Sequence, residues 1–487
     1  MSETETSTLD AFLSWAKGHG VESDVAVEKV PDKGLGVVSK KRHFRDNSRV
    51  IFVPSVVLVN ASKITGYAKE KAPKLESFYQ ALLRDGFPMN ERIIIISFIL
   101  FEQVGRVSLG ESAPPPSLWK PYLDILPRKL HTPMFYNATL KACLDGSSLS
   151  SVVDAKLNKL KREFDSFKPY FNKWRPPSST LQPDAATNVD VVTFDDFKWA
   201  DGVFWSRVLS FGSRIETLSI DKSSLESGLD DFHLVPFIDI ANHSLTPLAR
   251  WEVITDGVAG AELILTQTSN REPIPSETEI CISYGEKSNC ELLFLHGFAL
   301  KDDPWSAISF PVPFFEGDPI VDEKLSFMKY HGIKSLVSLS RKNESIELSH
   351  ESIRAMWLCV LNEGDGLKIT PCETKPYPVE LIIRDKVVNS VEMLDSVIQD
   401  WELFPVIDAR VVEIILDAVE NLLSNLGETN ERVLKLMETA NSREIEYIKI
   451  YREDEHRFLE SAVEEFTRKR ETLMSNELVE RYLVEEE

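Results

Sequence analysis

Two short runs enclose the stretch that most restricts what this chain can become. Residues 234–244, LVPFIDIANHS, form an apolar run that ends abruptly in Asp239, Asn242 and His243. Residues 279–298, EICISYGEKSNCELLFLHGF, close the same stretch. The first run reads as a strand. The second alternates, with Ile280, Ile282 and Tyr284 on one face, stops at Gly285 and restarts as a helix near Ser288. Neither end matches a metal, phosphate or nucleophile pattern. Between them WEVITDGVAGAELILTQT predicts a hairpin turning at Asp256-Gly257.

The rest of the chain frames that stretch. Residues 9–17 read as a short amphipathic helix, and 24–30 and 50–59 as strands. The intervening PDKGLGVVSKK carries Gly34 and Gly36, which permit close backbone approach to a ligand. A lone GxG is more often a hairpin turn, and no third glycine opens a helix here, so a dinucleotide fingerprint is not supported. From 61 to about 171 the pattern is helical. ERIIIISFILFEQ, residues 91–103, is too short to span a bilayer and is flanked by charge, which predicts a buried helix. Trp119, Tyr122 and Leu126 share one helical face and read as core. Residues 172–189 and 212–231 are polar loops around a helix over 194–211, whose Phe197, Ala200, Phe204 and Val208 form one side. Residues 300–313 read as a proline-broken linker. Beyond 321 the chain is mostly helical, with apolar stripes at Val411, Ile414, Ile415, Ala418 and Leu422 and at Leu459, Ala462, Val463 and Phe466. A short β insertion is expected over 377–388.

NHS, followed about forty residues later by ISYG, resembles the signature pair of SET-domain protein methyltransferases. The continuation KSN-C-E-L-L-x-x-x-G-F is similar to the branch typified by the plastid Rubisco large-subunit lysine methyltransferase, which also holds fungal ribosomal-protein lysine methyltransferases. SLWKPYLDILP resembles the W-x-x-Y-x-x-x-L-P element of that branch. The resemblance implies an α+β fold: a split SET domain of small, mostly antiparallel sheets with a threaded pseudoknot over residues 1–299, a helical insert at about 61–231, and a mostly helical substrate-binding domain over 300–487. It implies S-adenosyl-L-methionine as cofactor, contacted by Lys33, Gly34, Leu35, Arg207, Asp239, Asn242, His243, Tyr284 and His296. It makes Tyr284 the catalytic tyrosine and lines a lysine channel with Leu209, Tyr284 and Phe298. Plainer readings stand beside these. A strand-end tyrosine can simply carry a wet hydroxyl, an arginine at 207 can be a surface ion-pair partner, His243 can be a core or capping residue, Asp239 a buried support, and Phe298 a core phenylalanine.

Methyl transfer from a sulfonium to an amine needs alignment, a dry channel and a neutral amine. No cysteine cluster follows Phe298, so the zinc-binding element of many histone enzymes is not expected, and no metal is. The five cysteines, Cys143, Cys281, Cys290, Cys359 and Cys372, show no CxxC spacing, which fits a reducing compartment. The acidic N-terminus lacks an apolar signal core or an Arg-rich transit pattern, and the expectation is a cytoplasmic or nuclear monomer with no membrane partner. A formal net charge of −22 argues against direct nucleic-acid binding and is compatible with a basic protein substrate, although simple solubility accounts for it equally well. The actin-histidine methyltransferase of this branch carries an amide-bearing residue near the position of Leu209, so an apolar Leu209 favours lysine over histidine. The expected activity is protein-lysine N-methylation of a cytosolic or nuclear non-histone protein such as a ribosomal protein. The rivals are protein-histidine methylation and a catalytically idle SET scaffold.

Overall fold

Helix α1 (Glu3–Gly18) opens the chain, longer than its apolar pattern suggests, with Leu9, Phe12 and Ala16 buried along one face. Strands β1 (Val25–Val30) and β2 (Gly34–Ser39) form an antiparallel hairpin in which Val30 pairs with Gly34. Strand β3 (Arg49–Pro54) is buried from Val50 onward. It ends at Pro54, and a 3-10 turn, Ser55–Val57, takes up residues that read as strand; Val59 keeps one isolated bridge, to Leu234. The computed structural model describes residues 3–87, 89–175, 190–212, 231–255, 257–268, 273–343, 345–372, 379–440 and 442–486. They fall into two units, Met1–Leu130 with Ala155–Glu286, and His131–Asp154 with Lys287–Glu487.

In the first unit helices α2 (Ala61–Lys71), α3 (Pro73–Arg84) and α4 (Glu91–Leu100) follow β3. The segment Glu91–Ser112 is long and apolar enough, by length and composition, to cross a membrane. Inside the unit it is a core element: Ile93, Ile95, Ile96 and Phe98 to Phe101 are at most 2% exposed. Helix α5 (Lys120–Asp124) carries Tyr122 into the interior, and Trp119, Tyr122 and Leu126 are all buried, as their spacing predicts. Helix α6 (Phe194–Arg207) starts at a Thr193–Asp196 capping box and stops sooner than expected, because the chain turns extended at Val208 and enters β4 (Leu209–Ser210). β4 pairs with β5 (Phe232–His233). β6 (Ala249–Ile254) and β7 (Gly260–Leu265) form the expected hairpin, with Asp256 itself outside the described residues. The four-stranded antiparallel sheet runs Glu22–Ser23, β3, β7, β6.

Two strand assignments need correction. Residues 234–244 are not a strand: Pro236 has no N–H to give a ladder, Phe237 sits at φ +76°, and a 3-10 turn, Ile238–Ile240, follows. Residues 279–284 make isolated bridges rather than a continuous ladder, and Ile280, Cys281 and Ile282 are all buried, so alternation does not separate two faces. Ile280 N donates to Val37 O (2.8 Å) and Ile282 N to Asn242 O (2.9 Å), so this segment runs between β2 and the NHS motif. The loops expected over 172–189 and 212–231 lie largely outside the described residues.

The second unit contains more sheet than its sequence suggests. The supposed linker 300–313 holds β8 (Ala307–Pro311), which pairs with β9 (Leu336–Lys342) and through it β10 (Ser345–Leu348). A second antiparallel sheet, β11 (Leu367–Pro371), β12 (Val379–Ile383) and β13 (Lys386–Val388), contains the expected insertion, although Tyr377 is outside the described residues. Helix α7 (Asn289–His296) precedes them, and α8 (Phe404–Thr439) and α9 (Arg443–Met474) follow. The two apolar stripes read from the sequence line the core of this unit: Val411, Ile415, Leu459, Ala462 and Phe466 are buried, and Ile414, Ala418, Leu422 and Val463 pack against them. Small antiparallel sheets, a helical insert and a largely helical C-terminal part make the architecture α+β, as expected.

Candidate active site

Three backbone features of the first unit build the site. The turn between β1 and β2 places Asp32 and Gly34 at positive φ. From it Lys33 Nζ reaches Glu279 Oε2 at 2.6 Å, and the Leu35 carbonyl accepts from Asn242 Nδ2 at 3.3 Å. Gly36 is there for clearance. A Cβ at this position would lie 2.6 Å from Val30 Cγ2 and 2.9 Å from Asn242 Nδ2.

The second feature is the sharp path through 235–243. Phe237 holds a γ-turn conformation (φ +76°, ψ −51°) that few residues adopt without strain, and its ring is anchored against Phe12 at 5.2 Å between centroids. The turn sends Asp239 inward. Its side chain is fully buried, Tyr122 Oη donates to Oδ2, and Arg207 Nη1 lies 3.7 Å from Oδ2 and donates to the Asp239 carbonyl at 3.1 Å. Among the described residues Oδ1 has no hydrogen-bond partner. Burial pushes the Asp239 carboxyl up to about 6, against the opposing pull of the Arg207 guanidinium and the Tyr122 hydroxyl. Arg207 arrives from the last turn of α6, where a cation also suits the helix dipole.

The third is the end of the 279–284 segment. Tyr284 N–H donates to His243 Nδ1 at 3.0 Å, so this nitrogen accepts and a neutral His243 carries its proton on Nε2. The Tyr284 hydroxyl donates to the Ala241 carbonyl at 3.1 Å. Its ring is half-buried, but enclosure of the hydroxyl end, together with the Asp239 charge, raises the phenol well above its usual range, and Arg207 only partly offsets this. The hydroxyl is therefore protonated at neutral pH and serves as a hydrogen-bonding group, not as a base.

Two groups of sequence-derived residues thus meet in the first unit. Lys33, Leu35 and Asn242 meet around Glu279; Arg207, Asp239, His243 and Tyr284 meet around Ala241. Gly34 starts β2 at φ +86°. Leu209, half-buried, pairs with His233 two residues beyond Arg207. His296 and Phe298 belong to the second unit, their rings 6.1 Å apart on either side of Gly297, which caps α7 in the left-handed conformation. Three contributors escaped the sequence reading: Glu279, the Ala241 carbonyl and Tyr122. The last was placed in the core by its spacing, and only the rule that a buried tyrosine hydroxyl finds a partner hints at more. Part of the KSNCELL run proves to be structural. Ser288 and Glu291 form a capping box, and the Asn289 side chain both donates to Leu300 O (2.9 Å) and accepts from Leu300 N (2.7 Å).

No protein-family model matches the chain. It is 24% identical over 306 residues to the ribosomal lysine N-methyltransferase set10 of Schizosaccharomyces pombe, which covers 62% of this chain and 48% of that protein. It is 22% identical over 325 residues to the actin-histidine N-methyltransferase of Xenopus tropicalis, 66% of this chain and 48% of that one. The chain spans about half the length of these curated relatives. A crystal structure of the SET domain of LSMT bound to lysine and AdoHcy superposes with a TM-score of 0.64 at 20% identity, covering 96% of this chain and 92% of the other. The chain thus has the fold of the LSMT SET-domain structure, and its NHS and ISYG motifs resemble those of the Rubisco large-subunit methyltransferase branch.

Proposed function

We propose that the chain is an S-adenosyl-L-methionine-dependent protein N-methyltransferase whose acceptor is a lysine side chain. The observation that carries the reading is the Tyr284 hydroxyl, protonated, enclosed and bonded to the Ala241 carbonyl at 3.1 Å. The residues fit the cofactor by chemistry. Arg207 suits a carboxylate, the unpartnered buried Asp239 Oδ1 suits an ammonium, and the Asn242 amide with the backbone at Lys33 to Leu35 suits a nucleoside. His243, tied to Tyr284 N, supports the same wall.

Bound there, the cofactor supplies an electrophilic methyl group. The chain's own residues must present a neutral amine in line with it. Deprotonating a free lysine at about pH 7 costs roughly 4–5 kcal/mol, which an apolar enclosure reduces by disfavouring the ammonium. The Ala241 carbonyl and the Tyr284 hydroxyl oxygen can each accept an amine N–H. Together they leave its lone pair free to face the methyl group, and Leu209, two residues beyond Arg207, adds an apolar side chain. Alignment of this kind supplies on the order of 7–11 kcal/mol in favourable cases.

For the substrate we infer a basic cytosolic or nuclear protein, with a ribosomal protein first, engaged through residues 300–487 by a monomeric enzyme. The name of the fission-yeast relative and the net charge of −22 support this. Protein-histidine methylation is the second reading, favoured by the similarity to the Xenopus protein and opposed by the apolar Leu209. Incubation with tritiated cofactor and a cell extract, then mass spectrometry of the labelled protein, tests the assignment. A methyl group on lysine is expected. A methyl group on histidine overturns the acceptor, and an enzyme that binds cofactor but labels nothing is a scaffold.

A further inference from the structure

The carboxylate of Glu279 stands where three stretches of the first unit converge. Its own backbone bridges to Val38 of β2. Its Oε2 holds Lys33 Nζ at 2.6 Å, and its Oε1 accepts from Asn242 Nδ2 at 2.7 Å. The second hydrogen of the same amide goes to the Leu35 carbonyl at 3.3 Å. Both partners of Nδ2 are acceptors, so the amide cannot flip without losing two bonds and setting oxygen against oxygen. The result fixes Asn242 Oδ1 as the accepting end of the amide. Gly36 gives this pair its place beside β2: a Cβ there would lie 2.9 Å from Asn242 Nδ2 and 3.1 Å from Glu279 Oε1.

We propose that Glu279 is a positioning residue for the donor-binding surface: it sets the orientation of the Asn242 amide and ties the β1–β2 turn to it through Lys33. The proposal rests on the reading of Asn242 and the 33–35 turn as a cofactor-binding surface. Its chemical content is preorganisation. Without the carboxylate, the amide and the turn must be ordered when the ligand arrives, and affinity falls by that cost. The Lys33 contact, half exposed on the lysine side, adds little by itself.

Calorimetry of the full chain with S-adenosylhomocysteine tests this without reference to turnover. Glu279→Ala is expected to weaken binding about tenfold, the scale of one charge-assisted hydrogen bond. Asn242→Ala should weaken it to a similar degree, and the double variant should bind no more than about two- to threefold worse than Asn242→Ala alone, because Glu279 acts mainly through Asn242 and only weakly through Lys33. Glu279→Gln, whose carbonyl oxygen can still accept from Asn242, should restore most of the loss, and Lys33→Met should cost about two- to threefold. Glu279→Met, which fills the volume without an acceptor, repeats the test if the alanine variant does not fold. A wild-type protein that binds no S-adenosylhomocysteine sinks the cofactor reading itself. Tight wild-type binding with Glu279→Ala or Glu279→Met within twofold of it, or losses that multiply in the double variant, overturns the proposal alone.

Discussion

Tyr284 and Asp239 show how much of this site turns on single groups. The Tyr284 hydroxyl, bonded to the Ala241 carbonyl, can both donate and accept. Its removal in Tyr284→Phe should lower methyl transfer by about a hundredfold, the scale seen when one preorganised donor is lost, with cofactor affinity nearly unchanged. Turnover like the wild type would remove it from the mechanism. Asp239 answers to pH. Its carboxyl titrates at about 6 in the folded protein against an ordinary 3.8, so the stabilisation it contributes is complete below about pH 4 and is lost as pH rises to 6. Its ionised form is the partner Arg207 needs, so kcat should fall as pH drops through about 6, and Asp239→Asn should lack that inflection. A profile with the same inflection in both proteins would assign it elsewhere. Asn242 and His243 were legible through the NHS run and Tyr284 through ISYG, each a short local pattern. Tyr122 was not, because its bond to Asp239 joins residues that only the fold brings together.

At the scale of elements, the hairpin of β1 and β2 is a precision part. The loop was legible as a turn that lets a ligand approach; that Gly36 must also clear Asn242 was not. Gly36→Ala drives a methyl group against Val30 and Asn242, so thermal unfolding should show a loss of about 1–3 kcal/mol together with weaker cofactor binding. A variant equal to the wild type in both would mean that β1 yields easily. Strand assignments failed where patterning alone was the guide. Residues 234–244 look like a buried strand by composition, yet Pro236 and the turn at Phe237 decide their path. The supposed linker around 300–313 ends in β8 because its partner β9 lies outside any local window.

For the whole molecule, charge is the property most open to test. Glu413, Asp417, Glu420, Glu428, Glu431 and Glu438 all stand exposed along α8, whereas Asp454 and Glu455 of α9 are buried and add nothing to a surface field. Some exposed acids are balanced, as Glu431 is by Lys435 at 2.6 Å. The surplus should draw a lysine-rich substrate, and such attraction is screened within roughly 8–10 Å at physiological salt. The apparent KM for a basic protein substrate should therefore rise steeply with salt while cofactor affinity holds. A KM flat across that range would reduce these acids to a solubilising surface. The α+β class and the helical stripes of the second unit were legible because helical periodicity is local. Of its two sheets only the insertion at 377–388 was legible; the sheet of β8, β9 and β10 was not, because β8 pairs with a strand distant in sequence.

The passage of residues 279–282 between Val37 and Asn242 also sets an order of events. During synthesis β1, β2 and the NHS turn emerge first, and the segment that bridges them comes much later. Until it arrives, the backbone groups of Val37 and Asn242 that will receive it must be left to water, and closing so long a loop is slow compared with forming the local helices. A nascent chain that stops short of Tyr284 can hold most of its first-unit helices and still have no site. Placement of Tyr284 is thus the same event as completion of the unit, so the ability to bind a ligand at this site would report that folding of the unit has finished.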